Sequence, residues 1–242
     1  DQVQKNTVEF RVGKRFVKAW NNVLEQHIDQ PQSYRNVTFA EWSWLHRRYL
    51  GAAKFDLTAT YRKGVPWLGS LDDTTTRYMI PDQNFIDGIL HYDLKIIDAT
   101  FSMPFLLFGQ SANYSINFHG QFTQTRQDSA NMMSIGGRYN VRGFDGATTL
   151  LAEQGYYVRN EIQVPIGKTA QSFYWGVDAG RVFGPQTASG FVEGTQLAGT
   201  AVGLRGSLFK GSSYEVFVGT PLYQPAGFGA SGSVVGFNLR QD

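Results

Sequence analysis

The chain has 242 residues, with 22 Lys and Arg against 20 Asp and Glu, a net charge of +2. That near-balance, with no basic run, excludes a nucleic-acid-binding surface. The lack of cysteine excludes disulfides, metal–thiolate sites and thiol nucleophiles. No apolar run reaches the ~18 residues a membrane helix needs. The 18 Phe, 12 Tyr, 5 Trp and 27 Gly instead suit many strands joined by turns. The length fits one large all-β domain or two ordinary ones. Mean hydropathy is negative, which does not argue against a membrane β-barrel, because only alternate residues face lipid. The chain starts at Asp1 without an initiator methionine or signal peptide, so a fragment or a processed chain is expected.

In a strand, successive side chains face opposite sides, so parity is the test. In 8–16, Val8, Phe10, Val12 and Phe16 alternate with Glu9, Arg11 and Arg15, with Lys14 the exception. Segment 36–45, holding Trp42 and Trp44, has a blurred pattern. Segment 53–62 alternates cleanly, Phe55, Leu57, Ala59 and Tyr61 against Asp56, Thr58, Thr60 and Arg62. Segment 89–103 begins with Leu90, Tyr92, Leu94 and Ile96 on one face, then changes phase to Ile97, Ala99, Phe101 and Met103. That slip predicts a β-bulge. Segments 113–123, 156–164, 173–180, 196–208, 214–220 and 231–240 complete the set.

This gives about ten strands of roughly nine to fifteen residues, long enough to cross a bilayer at a tilt. The connections alternate in length. Short ones fall at 50–52, 107–112, 167–171 and 210–213, and long ones at 21–35, 64–88, 126–154, 184–195 and 221–231. Short periplasmic turns alternating with long external loops characterise outer-membrane barrels. The fold class predicted is all-β, a transmembrane antiparallel β-barrel.

One connection stands apart. Residues 135–146 hold four glycines, two arginines and two aromatics, a composition for a tightly shaped loop. Arg142 lies between Val141 and Gly143, and its guanidinium is a rigid fork suited to a carboxylate. Glu161 and Asp178 both fall on the polar, inward parity of neighbouring strands, where a carboxylate needs a partner or water. Arg159 is one partner for Glu161. Arg142 is another if its loop folds back into the lumen. Lumen charges facing water are the alternative.

The remaining candidates for chemistry are weaker. His27, His46, His91 and His119 are scattered, without a paired metal-ligand spacing. No GxSxG elbow and no phosphate-binding loop is present. Asp72 and Asp73 read as a solvated acidic pair. Asp82, Asp87 and His91 are the residues a ten-strand barrel protease would gather at its rim, but their spacing is not distinctive. No catalytic residue, metal or cofactor is expected.

Val141-Arg142-Gly143-Phe144-Asp145-Gly146 resembles the VRG[FY] loop motif of the transporter superfamily that includes the barrel-assembly proteins. Residues 155–161 resemble the strand following that loop. Residues 173–180 resemble the FxxxDxG-type strand after it. Residues 198–205, with 47–69, resemble the two-partner secretion branch (TpsB). The resemblance covers nearly the whole chain and is most specific over 136–180. It implies a sixteen-strand barrel in the bacterial outer membrane, of which residues 1–242 would be strands seven to sixteen. The first six strands and the periplasmic POTRA domains would lie outside this chain. The motif loop would be the sixth external loop, folded inward, with Arg142 paired to Asp178. The implied function is export of a TpsA-type partner, a large β-helical adhesin, haemagglutinin or contact-dependent inhibition toxin. A barrel-assembly or insertase protein of the same superfamily is the alternative. Outer-membrane lipid and the barrel-assembly machinery are the other implied partners, and the barrel is expected to be a monomer. Such barrels usually end in an aromatic residue, whereas this chain ends Asn238-Leu239-Arg240-Gln241-Asp242. The terminal signal is therefore expected to be altered or to lie beyond the sequence.

Overall fold

A computed structural model describes residues 3–23, 26–70, 91–127, 129–184, 195–209, 211–229 and 232–241. Ten strands form one antiparallel sheet, each hydrogen-bonded to the next in chain order. They are β1 (Gln4–Val23), β2 (Gln26–Leu50), β3 (Ala53–Val65), β4 (Asp93–Leu107), β5 (Gln110–Phe122), β8 (Gln154–Pro165), β9 (Gln171–Phe183), β10 (Gln196–Gly206), β11 (Ser212–Tyr223) and β12 (Val234–Gln241). Two short strands, β6 (Met133–Ile135) and β7 (Leu150–Ala152), pair only with each other, inside the connection between β5 and β8. A 3-10 turn at Ser129–Asn131 precedes them.

The register carries the parity from strand to strand. Val8 pairs with Trp44, Trp44 with Ala59 and Ala59 with Ile97, so one face collects apolar side chains. Its members are left exposed, Val8 at 76 % and Phe237 at 77 %, as lipid-facing residues of a barrel wall must be. The opposite face pairs Ser43 with Thr60, Thr58 with Asp98 and Asp98 with His119. It is polar, and its charges pair on the wall itself. Glu41 takes Arg11 and Arg62, and Asp56 takes Arg47 and Lys54.

Two sequence expectations differ from the structure. Segment 21–35 was expected to be a loop, but β1 runs to Val23 and β2 begins at Gln26. Pairing with β3 starts only at Thr38. The far part of β2 therefore pairs with β1 alone, as a two-stranded ribbon about 40 Å long at ~3.4 Å per residue. No clean apolar alternation in 21–35 marked this strand in the sequence. The β-bulge expected in 89–103 is also absent. The β3–β4 and β4–β5 registers run through Ile96 and Ile97 without a shift. Leu94 points inward and is buried with Val37 and Tyr92, so an inward apolar residue at the external end imitated a change of phase.

The principal hydrophobic core lies within the curve of the sheet. Met133, Ile135, Val141, Phe144, Leu150 and Ala152 come from the β5–β8 connection. Val182 and Leu197 come from the wall, and Phe228 from the β11–β12 loop. Burial of each Val, Leu, Ile, Met or Phe side chain among them contributes about 1.5–3 kcal/mol. Arg15 of β1 and Asp178 of β9 both bond this connection. They lie six strand spacings apart in the sheet order, about 29 Å on a flat sheet. The wall therefore curls round the loop.

Candidate functional site: an arginine latch in the lumen

The loop is shaped before it docks. Asn140 Oδ1 accepts from the backbone N–H of Gly136, Gly137 and Val141, at 2.9, 2.8 and 2.7 Å, and its Nδ2 donates to Ser134 O. Gly136 at φ +115° and Gly143 at φ +104° take angles that side chains rarely allow. The result presents Val141 and Phe144 to the core and Arg142 to the wall.

Arg142 is 3 % exposed and Asp178 fully buried. Its Nε donates to Asp178 Oδ2 at 2.6 Å, its Nη2 to Oδ1 at 2.8 Å, and its backbone N–H to Oδ2 at 3.0 Å. Nη1 donates to Glu161 Oε2 at 2.5 Å and Nη2 to Asn160 O at 3.2 Å. Burial works against the guanidinium charge. The bonds and charges of Asp178, then Glu161, outweigh it and hold Arg142 above its ordinary pKa. Both inward carboxylates named from parity thus meet the same arginine.

Arg159 is placed differently from the expected pairing with Glu161. Its Nε lies 3.8 Å from Asp178, and its Nη1 donates to the Tyr139 carbonyl. The second partner of Glu161 is Arg205 of β10, at 2.8 Å. Arg205 also lies 3.6 Å from Glu215, which reaches Arg138 at 3.6 Å. The guanidinium of Arg205 stands 3.9 Å over the Tyr174 ring, on the same phenol that Arg142 approaches at 5.7 Å. One network thus joins two loop arginines to the β8–β11 wall. His46 and His119 lie apart from it, bonded to Asn6 and Asp98. Asp72, Asp73, Asp82 and Asp87 lie outside the described residues.

Sequence reasoning missed the surface the latch rests on. A Cβ on Gly199 would stand 1.8 Å from Arg142 O, and one on Gly176 2.1 Å from Arg142 Nη2. On Gly219 it would meet Gly143 N at 2.9 Å, and on Gly180 the Val141 side chain at 3.0 Å. These inward glycines of β9, β10 and β11 form a trough that fits the loop backbone. The signal was available, since Gly176, Gly180, Gly199 and Gly219 share the inward parity. Two further supports had no sequence signal. Gln121 Nε2 donates to both Asn131 O and Glu153 O, at 2.6 and 3.0 Å, stapling the loop where it leaves and returns. Phe228 closes on Phe144 edge-to-face, with centroids 5.5 Å apart.

A curved antiparallel wall with an apolar outer face, round an inward loop held by a buried arginine, marks the wall of a transmembrane β-barrel. Residues 1–206 match the family model of haemolysin secretion/activation proteins ShlB/FhaC/HecB, and the chain belongs to that family. It is 38 % identical to the outer membrane transporter CdiB-2 of Burkholderia pseudomallei (strain 1026b), over 96 % of this chain and 41 % of that protein. It is 26 % identical to the outer membrane transporter CdiB of Dickeya dadantii (strain 3937), over 94 % of this chain and 39 % of that one. Among solved structures, CdiB from Acinetobacter baumannii superposes with a TM-score of 0.78 at 26 % identity, covering 98 % of this chain and 39 % of that one. CdiB from Escherichia coli gives 0.80 at 18 % identity, covering 98 % and 42 %, and supports the fold alone. The chain spans about two-fifths of the curated relatives it matches.

Proposed function

We propose that this chain is the C-terminal part of the barrel of a two-partner secretion pore, strands seven to sixteen of sixteen. The first strands and the POTRA domains stand outside it. The whole protein exports a large β-helical partner of the TpsA type across the outer membrane. The relatives named CdiB favour a contact-dependent inhibition toxin over an adhesin or haemagglutinin. The barrel works as a monomer in outer-membrane lipid, placed there by the barrel-assembly machinery. It performs no covalent chemistry and holds no cofactor or metal.

One observation carries the reading. The VRGF loop lies inside the wall with Arg142 bound to Asp178 and Glu161, where a passive pore would leave its lumen open to water. Arg142 and Asp178, with Glu161, Val141, Gly143 and Phe144, hold the loop in its working position. The test is partner secretion by the full-length protein carrying Arg142→Ala. Secretion is expected to fall while the barrel still assembles. Full secretion by that variant would remove the role of the latch.

A further inference from the structure

The loop is held very unequally by the two sides of the wall. Toward β8–β11 it has the buried pairs of Arg142 with Asp178 and Glu161, the glycine trough, and the apolar packing on Val182 and Leu197. Toward β1–β3 the described residues offer far less. Arg15 Nη1 donates to Asn131 Oδ1 at 2.8 Å, and the Tyr92 hydroxyl meets the same asparagine. Parting the loop from β8–β11 strands a buried charge and exposes apolar groups, both costly. Parting it from β1 gives up the Arg15–Asn131 bond, whose donor and acceptor water can take up.

The surface uncovered on that side suits a moving chain. The inner face of β1–β3 carries Arg11–Glu41–Arg62 and Arg47–Asp56–Lys54, each a carboxylate shared by two cations, and the Ser43–Thr60 hydroxyl pair. Charges already engaged with one another and with water hold a passing peptide weakly, since exposed ion pairs are worth ~0–1 kcal/mol.

We infer that the exported polypeptide passes between the folded-in loop and the β1–β3 wall. The loop stays latched to β8–β11 and swings clear of Arg15. Asn131 is the contact that opens. This rests on the translocation reading above and adds the side on which passage occurs.

The test uses the full-length transporter and two cysteine pairs joined by a short thiol crosslinker with a reducible spacer. A disulfide is avoided, because a hydrogen-bonded Arg and Asn set their Cα atoms too far apart for one. Arg15→Cys with Asn131→Cys ties the loop to β1. Tyr139→Cys with Arg159→Cys, at a loop–wall contact outside the residues that hold Arg142, ties it to the side where it already rests. Tying to β1 should lower partner export at least tenfold relative to the same variant before crosslinking, with recovery once the spacer is reduced. The other tie should leave export within twofold. Equal block by both ties, or export undiminished by the first, overturns the inference. No export by the unmutated protein would instead sink the translocation reading. Arg15→Ala, needing no crosslink, should raise the open fraction in single-channel recordings about tenfold, the order expected for losing a bond to a charged group. An unchanged open fraction counts equally against the inference.

Discussion

Arg142 and Asp178 meet through two parallel side-chain hydrogen bonds, of 2.6 and 2.8 Å, and a third from the arginine's own backbone N–H at 3.0 Å. Arg142→Ala leaves the buried Asp178 with only the more distant Arg159, at 3.8 Å, a loss on the order of 3 kcal/mol. Arg142→Lys recovers less than half of it, because an ammonium cannot reproduce the planar fork. The double change Arg142→Asp with Asp178→Arg should recover some of what either single change loses, because it restores opposite charges across the same contact. Denaturant unfolding of the detergent-refolded full-length barrel ranks the variants.

Adding a single methyl group on the wall should release the loop without touching its charges. Gly199→Ala places Cβ 1.8 Å from the Arg142 carbonyl, against backbone that cannot rotate away. Its effect on hydrogen exchange across 136–146 should match that of Arg142→Ala. Gly232→Ala, with no atom within 4 Å of its Cβ, should leave exchange unchanged. Similar behaviour of the two alanines would mean the trough does not position the loop.

Phe228→Ala should cost about 3–5 kcal/mol, the usual penalty for emptying a buried aromatic site. Phe228→Leu should cost clearly less. The diagnostic readout is local. Protease nicking of the β6–β7 hairpin should rise in the alanine variant, since Phe228 packs in the same core as Met133 and Leu150.

Gln121→Leu removes both donors from the loop base. The Asn131 and Glu153 carbonyls would each lose a buried hydrogen bond, at about 1 kcal/mol each. Faster amide exchange in β6 and β7 with an unchanged β9–β10 ladder is the expected pattern. Loss of protection throughout the sheet would make Gln121 a general support instead.

Much of this was legible because lipid and lumen impose opposite chemistries on alternate residues. That rule placed the ten wall strands and put Glu161 and Asp178 on the inner face. It failed where the two environments stop differing. Residues 21–35 of the β1–β2 ribbon left no alternation to read, and the inward, buried Leu94 counterfeited a bulge. It was also silent about contacts made by absent side chains. A glycine at 199 looks the same on paper whether it faces water or the Arg142 carbonyl. The supports from Gln121 and Phe228 depend on how a long connection folds back, which no local pattern encodes.

Asn160 sits between the two environments. On the outer, lipid-facing side its amide takes the Tyr114 hydroxyl at 3.0 Å and donates to Val177 O at 3.3 Å. Its backbone carbonyl receives Arg142 Nη2 on the lumen side. The state of the latch is therefore one peptide unit away from the lipid. An isotope-labelled Asn160 carbonyl, read by infrared absorption, would report departure of the arginine as a frequency shift. The loop could then be followed from a position in the wall, with no probe on the loop itself.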